Sequence, residues 1–161
     1  MKLYIKQKVF SWRDRFTIKD EHGTDVYTAV GEFFTLGKHL NVYQGTNTDC
    51  RPVGQINQRL MSFTTRFGIT VRDNYIADMV RKITFLTNDY RLEGLPWRID
   101  GDVFAHDYTL LDERSNVIMA LSRAWFTWGD SYELDIADGY DPLTCLCIAL
   151  AVDCCLCVRR S

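Results

Sequence analysis

Residues 141–161 read D-P-L-T-C-L-C-I-A-L-A-V-D-C-C-L-C-V-R-R-S, and the architecture of the protein follows from how this stretch is buried. Asp141 is a favourable N-cap and Pro142 suits the first helical position, so the pattern predicts that a helix begins here. Between residues 143 and 158 Asp153 is the one charged residue, and this run contains no glycine or proline. The predicted helix is apolar on nearly every side. Such a helix has to be buried, either in lipid or inside a protein.

The length of the apolar run argues against a membrane span. As a helix it would extend about 24 Å at ~1.5 Å per residue, whereas a bilayer core requires roughly 20 residues. Asp153 lies near the middle of the run and would add ~2.5–3.5 kcal/mol to the cost of insertion. We therefore predict a helix that is buried within the protein's own structure. The alternative is a membrane-tethered module that is anchored by this C-terminal helix.

Upstream of the helix, short runs alternate polar and apolar residues, which is typical of half-buried strands. Leu3 and Ile5 fall on one face of the first run, and Phe16 and Ile18 fall on one face of the run over residues 15–20. Turn chemistry separates the runs, as in E-H-G at residues 21–23 and G-L-P-W at residues 94–97. D-G-D at residues 100–102 is also predicted to be a turn.

A hairpin-rich unit recurs along the chain. Residues 5–18 align with residues 56–69 at an offset of 51, and residues 16–21 align with residues 108–113 at an offset of 92. At the second offset Ser115 stands where the first unit has Gly23, so we expect that turn to be altered. The pattern predicts a mainly β protein of about ten to twelve strands, a closed barrel or sandwich with the apolar helix as its plug.

Bulk composition limits the functional classes. The chain has 161 residues, the length of a single domain, and a net charge of −2, so no nucleic-acid partner is expected. No apolar segment of a secretory signal follows Met1. We therefore expect a cytoplasmic location, with membrane association left open, in which the six cysteines remain thiols.

Five motifs carry a resemblance to a known family. They are K-Q-K-V-F-S at residues 6–11, D-x-F-x-I-x-D-x-x-G at residues 14–23, G-x-F-F-x-L-G at residues 31–37, S-R-A-W-F-T-W-G-D-S-Y-E-L at residues 122–134 and A-L-A-V-D at residues 149–153. Together they resemble the LURP-one-related (YxjI-like) family over nearly the whole chain, residues 1–161. The resemblance implies the tubby C-terminal-like fold, a closed antiparallel barrel of twelve strands with a C-terminal apolar helix threaded through its centre.

The resemblance implies less about function than about fold. Tubby domains bind phosphoinositide headgroups through basic residues, but a shared fold does not by itself establish a shared function. In this chain Lys8 aligns with Arg59, and Arg15 aligns with Arg66, in the register of the repeat. We predict these four cations as candidate lipid-headgroup ligands through charge-assisted hydrogen bonds. The alternative for them is a solvated strand face, and the alternative for the protein is a protein partner.

The cysteines of the helix predict packing rather than metal binding. One rigid helix cannot surround an ion with Cys145, Cys147, Cys154, Cys155 and Cys157, and the spacing of a zinc knuckle is absent. We predict small buried side chains, no metal and no cofactor. Cys50, alone in a predicted loop, supports a rival hypothesis of a reactive-thiol protein or enzyme.

No catalytic residues are predicted. His22 and His39 are predicted in turns and His106 just before a strand, and no nucleophile motif accompanies them. We therefore expect a protein that is not an enzyme. Asp153 is a separate question, because a charge inside an apolar helix requires a partner. We expect Asp153 to pair with an inward arginine or to form a hydrogen bond at the mouth of the barrel.

Overall fold

A computed structural model describes residues 1–6, 15–34, 37–83, 88–124 and 131–158. Its twelve strands form a closed antiparallel barrel in which each strand pairs with its neighbours in sequence and the first pairs with the last. The strands are β1 (Lys2–Lys6), β2 (Arg15–Asp20), β3 (Asp25–Phe34), β4 (Gly37–Gln44), β5 (Gly54–Gln58), β6 (Thr65–Val71), β7 (Asn74–Ile83), β8 (Asn88–Glu93), β9 (Arg98–Asp102), β10 (Asp107–Leu111), β11 (Val117–Ala124) and β12 (Ser131–Ile136). The predicted barrel is confirmed.

The single described helix, α1 (Pro142–Cys157), fills the barrel. Asp141 caps it, because its Oδ2 accepts a hydrogen bond from the Thr144 amide at 3.0 Å. Apart from Thr144, all side chains from Leu143 to Cys155 are buried, and α1 contacts β5, β6, β7, β11 and β12. None of the described helical residues form a helix long and apolar enough to cross a membrane. The prediction of a helix buried in protein is confirmed.

The small side chains of α1 allow the strands to approach closely. Gly54 of β5 faces the helix, and a Cβ added there would lie 2.6 Å from the Sγ atom of Cys147. Real Cβ atoms do not approach a neighbour so closely, so the strand and the helix can meet only because one side lacks a side chain. Cys147 therefore acts as a small packing residue, as the sequence predicts.

The barrel has two distinct ends. We call the end at which α1 begins the proximal end, and the opposite end, at which α1 finishes, the distal end. Arg72, between β6 and β7, contacts the N-cap Asp141 through two hydrogen bonds, Nη1 to Oδ2 at 3.0 Å and Nη2 to Oδ1 at 3.1 Å. Because the strands are antiparallel, all turns after even-numbered strands lie at this proximal end. The described turns 59–64 and 103–106 follow β5 and β9, so both lie at the distal end.

The turns of residues 20–24 and 112–116 have the same structure. Asp20 Oδ1 accepts hydrogen bonds from the amides two and four residues later, both at 2.9 Å. Asp112 Oδ1 accepts from the two corresponding amides at 2.8 Å. Gly23 has a φ of 79° and Ser115 a φ of 68°. The expectation that Ser115 alters the turn is wrong, because the serine adopts the left-handed conformation of the glycine.

Two local predictions of turns are also wrong. Residues 100–102 belong to β9, where Gly101 pairs with Tyr108 of β10. Gly101 has a φ of 115°, and an added Cβ would lie 2.7 Å from the carbonyl oxygen of Asp107, so the glycine serves strand pairing rather than a turn. His39 lies within β4, and its Nδ1 atom is 2.7 Å from Oδ1 of Asn57 on β5.

Candidate functional site

Of the predicted headgroup ligands that the structure describes, Arg59 and Arg66 share a carboxylate and Arg15 contacts a different loop. Lys8 lies outside the described residues. Arg15 contacts the loop between β4 and β5, where its Nη1 donates to Oγ1 of Thr48 at 3.2 Å and its Nη2 donates to the carbonyl of Thr46. The guanidinium of Arg15 therefore holds this loop against the start of β2.

Arg59 and Arg66 are brought together by one carboxylate. Arg59 Nε lies 3.2 Å from Oδ1 of Asp78, and Arg66 Nη1 lies 3.0 Å from Oδ2 of the same side chain. Arg66 Nη1 also donates to Oε2 of Glu93. We call these four residues, on the outer wall formed by β5 to β8, the ion cluster.

Gly68 creates the space that Arg59 occupies. A Cβ at Gly68 would lie 2.8 Å from Nη2 of Arg59, so the guanidinium lies flat across β6 where a side chain is missing. The Cζ atom of Arg59 is 5.9 Å from the centroid of the Tyr75 ring, within the range of a cation–π contact. These contacts hold the Arg59 guanidinium in one place on the barrel wall.

The two arginines of the ion cluster differ in what they can still bind. Hydrogen bonds to Glu93 and Asp78 raise the pKa of Arg66 above its ordinary value, and its side chain is 24% exposed. Arg59 is 51% exposed and uses Nε for Asp78, and among the described residues its Nη atoms donate no hydrogen bond. Arg59 is therefore the cation of the cluster that can accept an additional anion.

An apolar turn next to Arg59 was missed by sequence reasoning. In turn 59–64 the relative exposure is 52% for Leu60, 102% for Met61 and 111% for Phe63. We call these three side chains the apolar tip. The repeat predicts a hairpin unit here, but the turn contains no Gly, Pro, Asn or Asp to locate it. The sequence signal that could have identified it is the presence of Leu60, Met61 and Phe63 between the two strands of a predicted hairpin, where polar turn residues are usual.

Asp153 has a histidine as its partner. His106 Nε2 is 3.0 Å from Oδ1 of Asp153, at ion-pair distance but without the alignment of a hydrogen bond. Asp153 is 2% exposed, and burial raises its pKa even though the contact with His106 acts to lower it. His106 also stacks on Tyr132, with ring centroids 4.4 Å apart. The expected inward arginine is wrong, and the contact lies at the distal mouth of the barrel.

The buried thiols of the helix are poor nucleophiles, whereas Cys157, which was also expected to be buried, is partly exposed at the end of α1. Cys145, Cys147 and Cys155 are buried, and burial raises the pKa of each to about 12. Cys50 is exposed, and its Sγ donates to the carbonyl of Asn47 at 3.3 Å. Within the described ranges no three His, Cys, Asp or Glu side chains are grouped so that they could hold a metal ion.

A cleft opens where β8 and β9 separate. Among the described residues these strands share one pair, Arg91 with Arg98, and beyond it they enclose a cleft of 320 Å³. Asp89 and Asp102 contribute carboxylates to its lining, together with the ring of Phe104. Because it contains no basic residue among its lining groups, this cleft does not suit an anionic headgroup.

Comparison with known proteins gives a consistent result over almost the whole chain. A model of the family described as LURP-one-related matches residues 1–153. A protein of Bacillus subtilis (strain 168), named uncharacterized protein YxjI, is 37% identical over 153 residues. That similarity covers 95% of this chain and 92% of the relative.

Proposed function

The chain belongs to the LURP-one-related family, and we propose that it is a non-catalytic barrel protein that binds headgroups of an anionic phospholipid surface. The Bacillus subtilis relative is named as uncharacterized, so its name carries no function over to this chain. Support for the proposal comes from the chemistry of the ion cluster.

The observation that carries the proposal is the state of Arg59. Its side chain is half exposed, and its Nε atom donates a hydrogen bond to Asp78. Among the described residues no acceptor is bonded to its Nη atoms, which remain able to donate. A guanidinium held in this way can donate two parallel hydrogen bonds to a phosphate. Because Asp78 and Tyr75 already restrict Arg59, less side-chain entropy is lost when an anion binds.

The other predicted cations have supporting roles in this proposal. Arg66 shares Asp78 with Arg59 and thereby positions the carboxylate that orients Arg59. Arg15 contributes positive charge from β2 while it holds the neighbouring loop. Lys8 stays a prediction. The carboxylates of Asp78 and Glu93 compensate the two arginines of the cluster, so we expect binding to be weak and sensitive to salt.

Co-sedimentation with vesicles tests the proposal. We expect the protein to bind phosphatidylcholine vesicles that contain a phosphoinositide or phosphatidylglycerol more strongly than vesicles of phosphatidylcholine alone. Arg59→Gln should weaken binding to the anionic vesicles by about fivefold, because one cation near such a surface contributes on the order of 1 kcal/mol. Added salt should reduce the difference between the two kinds of vesicle.

Arg114→Gln is the matched control, since Arg114 carries the same charge on an exposed turn at the proximal end. This variant should bind as the unchanged protein does. Equal binding of Arg59→Gln and the unchanged protein to anionic vesicles would contradict the proposal. A protein that stays in the supernatant with every vesicle would favour a protein partner instead.

A further inference from the structure

Two side chains of the apolar tip protrude from the described part of the barrel, while Leu60 lies beside Gly37 of β4. Met61 and Phe63 are exposed to more than 100% of their reference areas, so both side chains protrude beyond the surface of the barrel. Leu60, at the base of the turn, is half exposed. Soluble proteins expose single apolar residues commonly, but three in one turn of six residues form a continuous apolar surface that calls for a partner.

The two ends of the barrel differ in polarity. Described proximal turns are polar, with E-H-G-T at residues 21–24, R-D at residues 72–73 and D-E-R-S-N at residues 112–116. The apolar side chains of the proximal turn 94–97 pack against the core. The described distal turns instead carry the apolar tip and Phe104, which is 46% exposed. The remaining exposed large apolar residues among those described lie near the proximal end, each in a different segment: Met1 before β1, Tyr75 in β7 and Val117 in β11.

Two points of contact at one end define how a flat surface can meet the barrel. The turns after β5 and β9 are separated by four of the twelve strands, about a third of the circumference. A plane that touches both turns therefore lies across the barrel axis at the distal end. The polar proximal end then faces away from that plane.

We propose that the apolar tip inserts into the interface of a phospholipid bilayer, so that the barrel docks with its distal end on the membrane. This inference rests on the proposed binding to an anionic phospholipid surface and adds the depth and direction of contact. A convex tip loses its contact with water wherever fluid acyl chains can move around it. A protein partner would need a concave site of matching shape.

The position of Arg59 agrees with this orientation. Arg59 precedes Leu60 in the chain, and its guanidinium lies over Gly68, two residues along β6 from Arg66. This spacing places the cation about 7 Å behind the base of the tip. Apolar side chains of peripheral proteins enter the boundary between headgroups and acyl chains to a depth of ~5–10 Å. The tip and the cation can therefore meet acyl chains and phosphates at the same time.

Replacement of the tip by polar residues tests insertion. Met61→Ser combined with Phe63→Ser should lower the partition coefficient about tenfold for each side chain, on vesicles with and without phosphatidylglycerol. Both side chains are fully exposed, so circular dichroism and the thermal unfolding midpoint should not change. Val117→Ser is the control, because it removes a half-exposed apolar side chain at the proximal end and should bind as the unchanged protein does.

Depth can be measured directly by fluorescence. Phe63→Trp adds an indole at the tip, and vesicles of phosphatidylcholine and phosphatidylglycerol with brominated acyl chains should quench its added emission. In Val117→Trp the added emission should be unaffected by the same vesicles. Equal quenching of the two, or no quenching of Phe63→Trp on vesicles that bind the protein, would overturn insertion of the tip.

The failure of insertion can be separated from the failure of headgroup binding. If the double serine variant binds like the unchanged protein while Arg59→Gln binds less, the tip is not inserted and the proposed function stands. If the serine variant loses binding while Arg59→Gln does not, the tip inserts without recognition of the headgroup by Arg59. If no variant and no vesicle shows binding, both proposals are overturned and a protein partner for the tip is indicated.

Discussion

A carboxylate within the most apolar part of the chain is paired with a histidine from the turn between β9 and β10. Asp153 on α1 faces His106, which in turn stacks on Tyr132 of β12. The phenol of Tyr108 on β10 is buried, and burial together with the charge of Asp153 raises the pKa of its hydroxyl well above the ordinary value. The neighbouring Cys154 is also buried and its pKa is raised. Burial thus disfavours every additional negative charge around Asp153.

Asp153 should make stability depend on pH. Its pKa in the folded state is raised above the ordinary 3.8, so the folded protein holds this proton to higher pH than the unfolded chain does. As pH rises from the pKa of Asp153 in the unfolded chain to its pKa in the folded protein, the contribution of Asp153 to stability is lost. Asp153→Asn cannot ionise, so its stability relative to the unchanged protein should increase over this window. At neutral pH we expect a gain on the order of 1 kcal/mol, measured by urea unfolding.

His106→Asn is the matched variant, because asparagine tolerates the φ of 55° found at this position. Loss of the imidazole removes the contact that lowers the pKa of Asp153, so the pH-dependent loss of stability should extend to higher pH. A difference between Asp153→Asn and the unchanged protein that stays constant with pH would contradict the raised pKa.

At the scale of elements, close packing between α1 and the barrel depends on paired small residues. Gly54 on β5 lies directly against Cys147 on α1, and a methyl group added at Gly54 would overlap the sulfur. The turn of residues 112–116 repeats the structure of the turn of residues 20–24. Ser115 adopts the left-handed backbone of Gly23, and Asp112 repeats the hydrogen bonds of Asp20. Strand pairing tolerates the change because the turn lies outside the barrel core.

A double-mutant cycle should reveal the coupling of β5 to α1. Gly54→Ala places a methyl group 2.6 Å from the thiol of Cys147 and should cost about 1–3 kcal/mol of unfolding free energy. Cys147→Ala removes the opposing sulfur, so the double variant should be more stable than the sum of the two single changes predicts. Cys145→Ala combined with Gly54→Ala is the control and should be additive. If the changes in unfolding free energy were additive in both cycles, the predicted coupling between Gly54 and Cys147 would be contradicted.

At the scale of the whole molecule, closure of the barrel controls access to the helix. The thiols of Cys145, Cys147, Cys154 and Cys155 lie inside a sheet that closes on itself. Cys50 lies outside on the loop between β4 and β5. Membrane docking through the distal end would leave this arrangement intact. Departure of α1 from the barrel would instead expose its thiols.

Thiol labelling under native conditions should distinguish these states. Cys50 should react rapidly with a thiol reagent, and Cys50→Ser should remove its share of the rapid phase, so that the partly exposed Cys157 accounts for any remainder. Cys145, Cys147 and Cys155, with pKa values raised to about 12 by burial, should react only at the rate of global unfolding. Mass spectrometry of the labelled peptides gives both rates. Rapid labelling of these three in the presence of vesicles would show that the helix leaves the barrel.

Most strands and the buried position of the helix followed from the sequence, because period-2 alternation, the N-cap Asp141 and the apolar run are local properties of the chain. The strand positions of Gly101 and His39 did not. Tertiary structure alone decided which distant residues meet. It paired Asp153 with His106 rather than arginine, joined Arg59 to Arg66 through Asp78, and left Met61 and Phe63 outside the core. Such contacts follow from barrel closure and register, which bring together side chains that no local pattern relates.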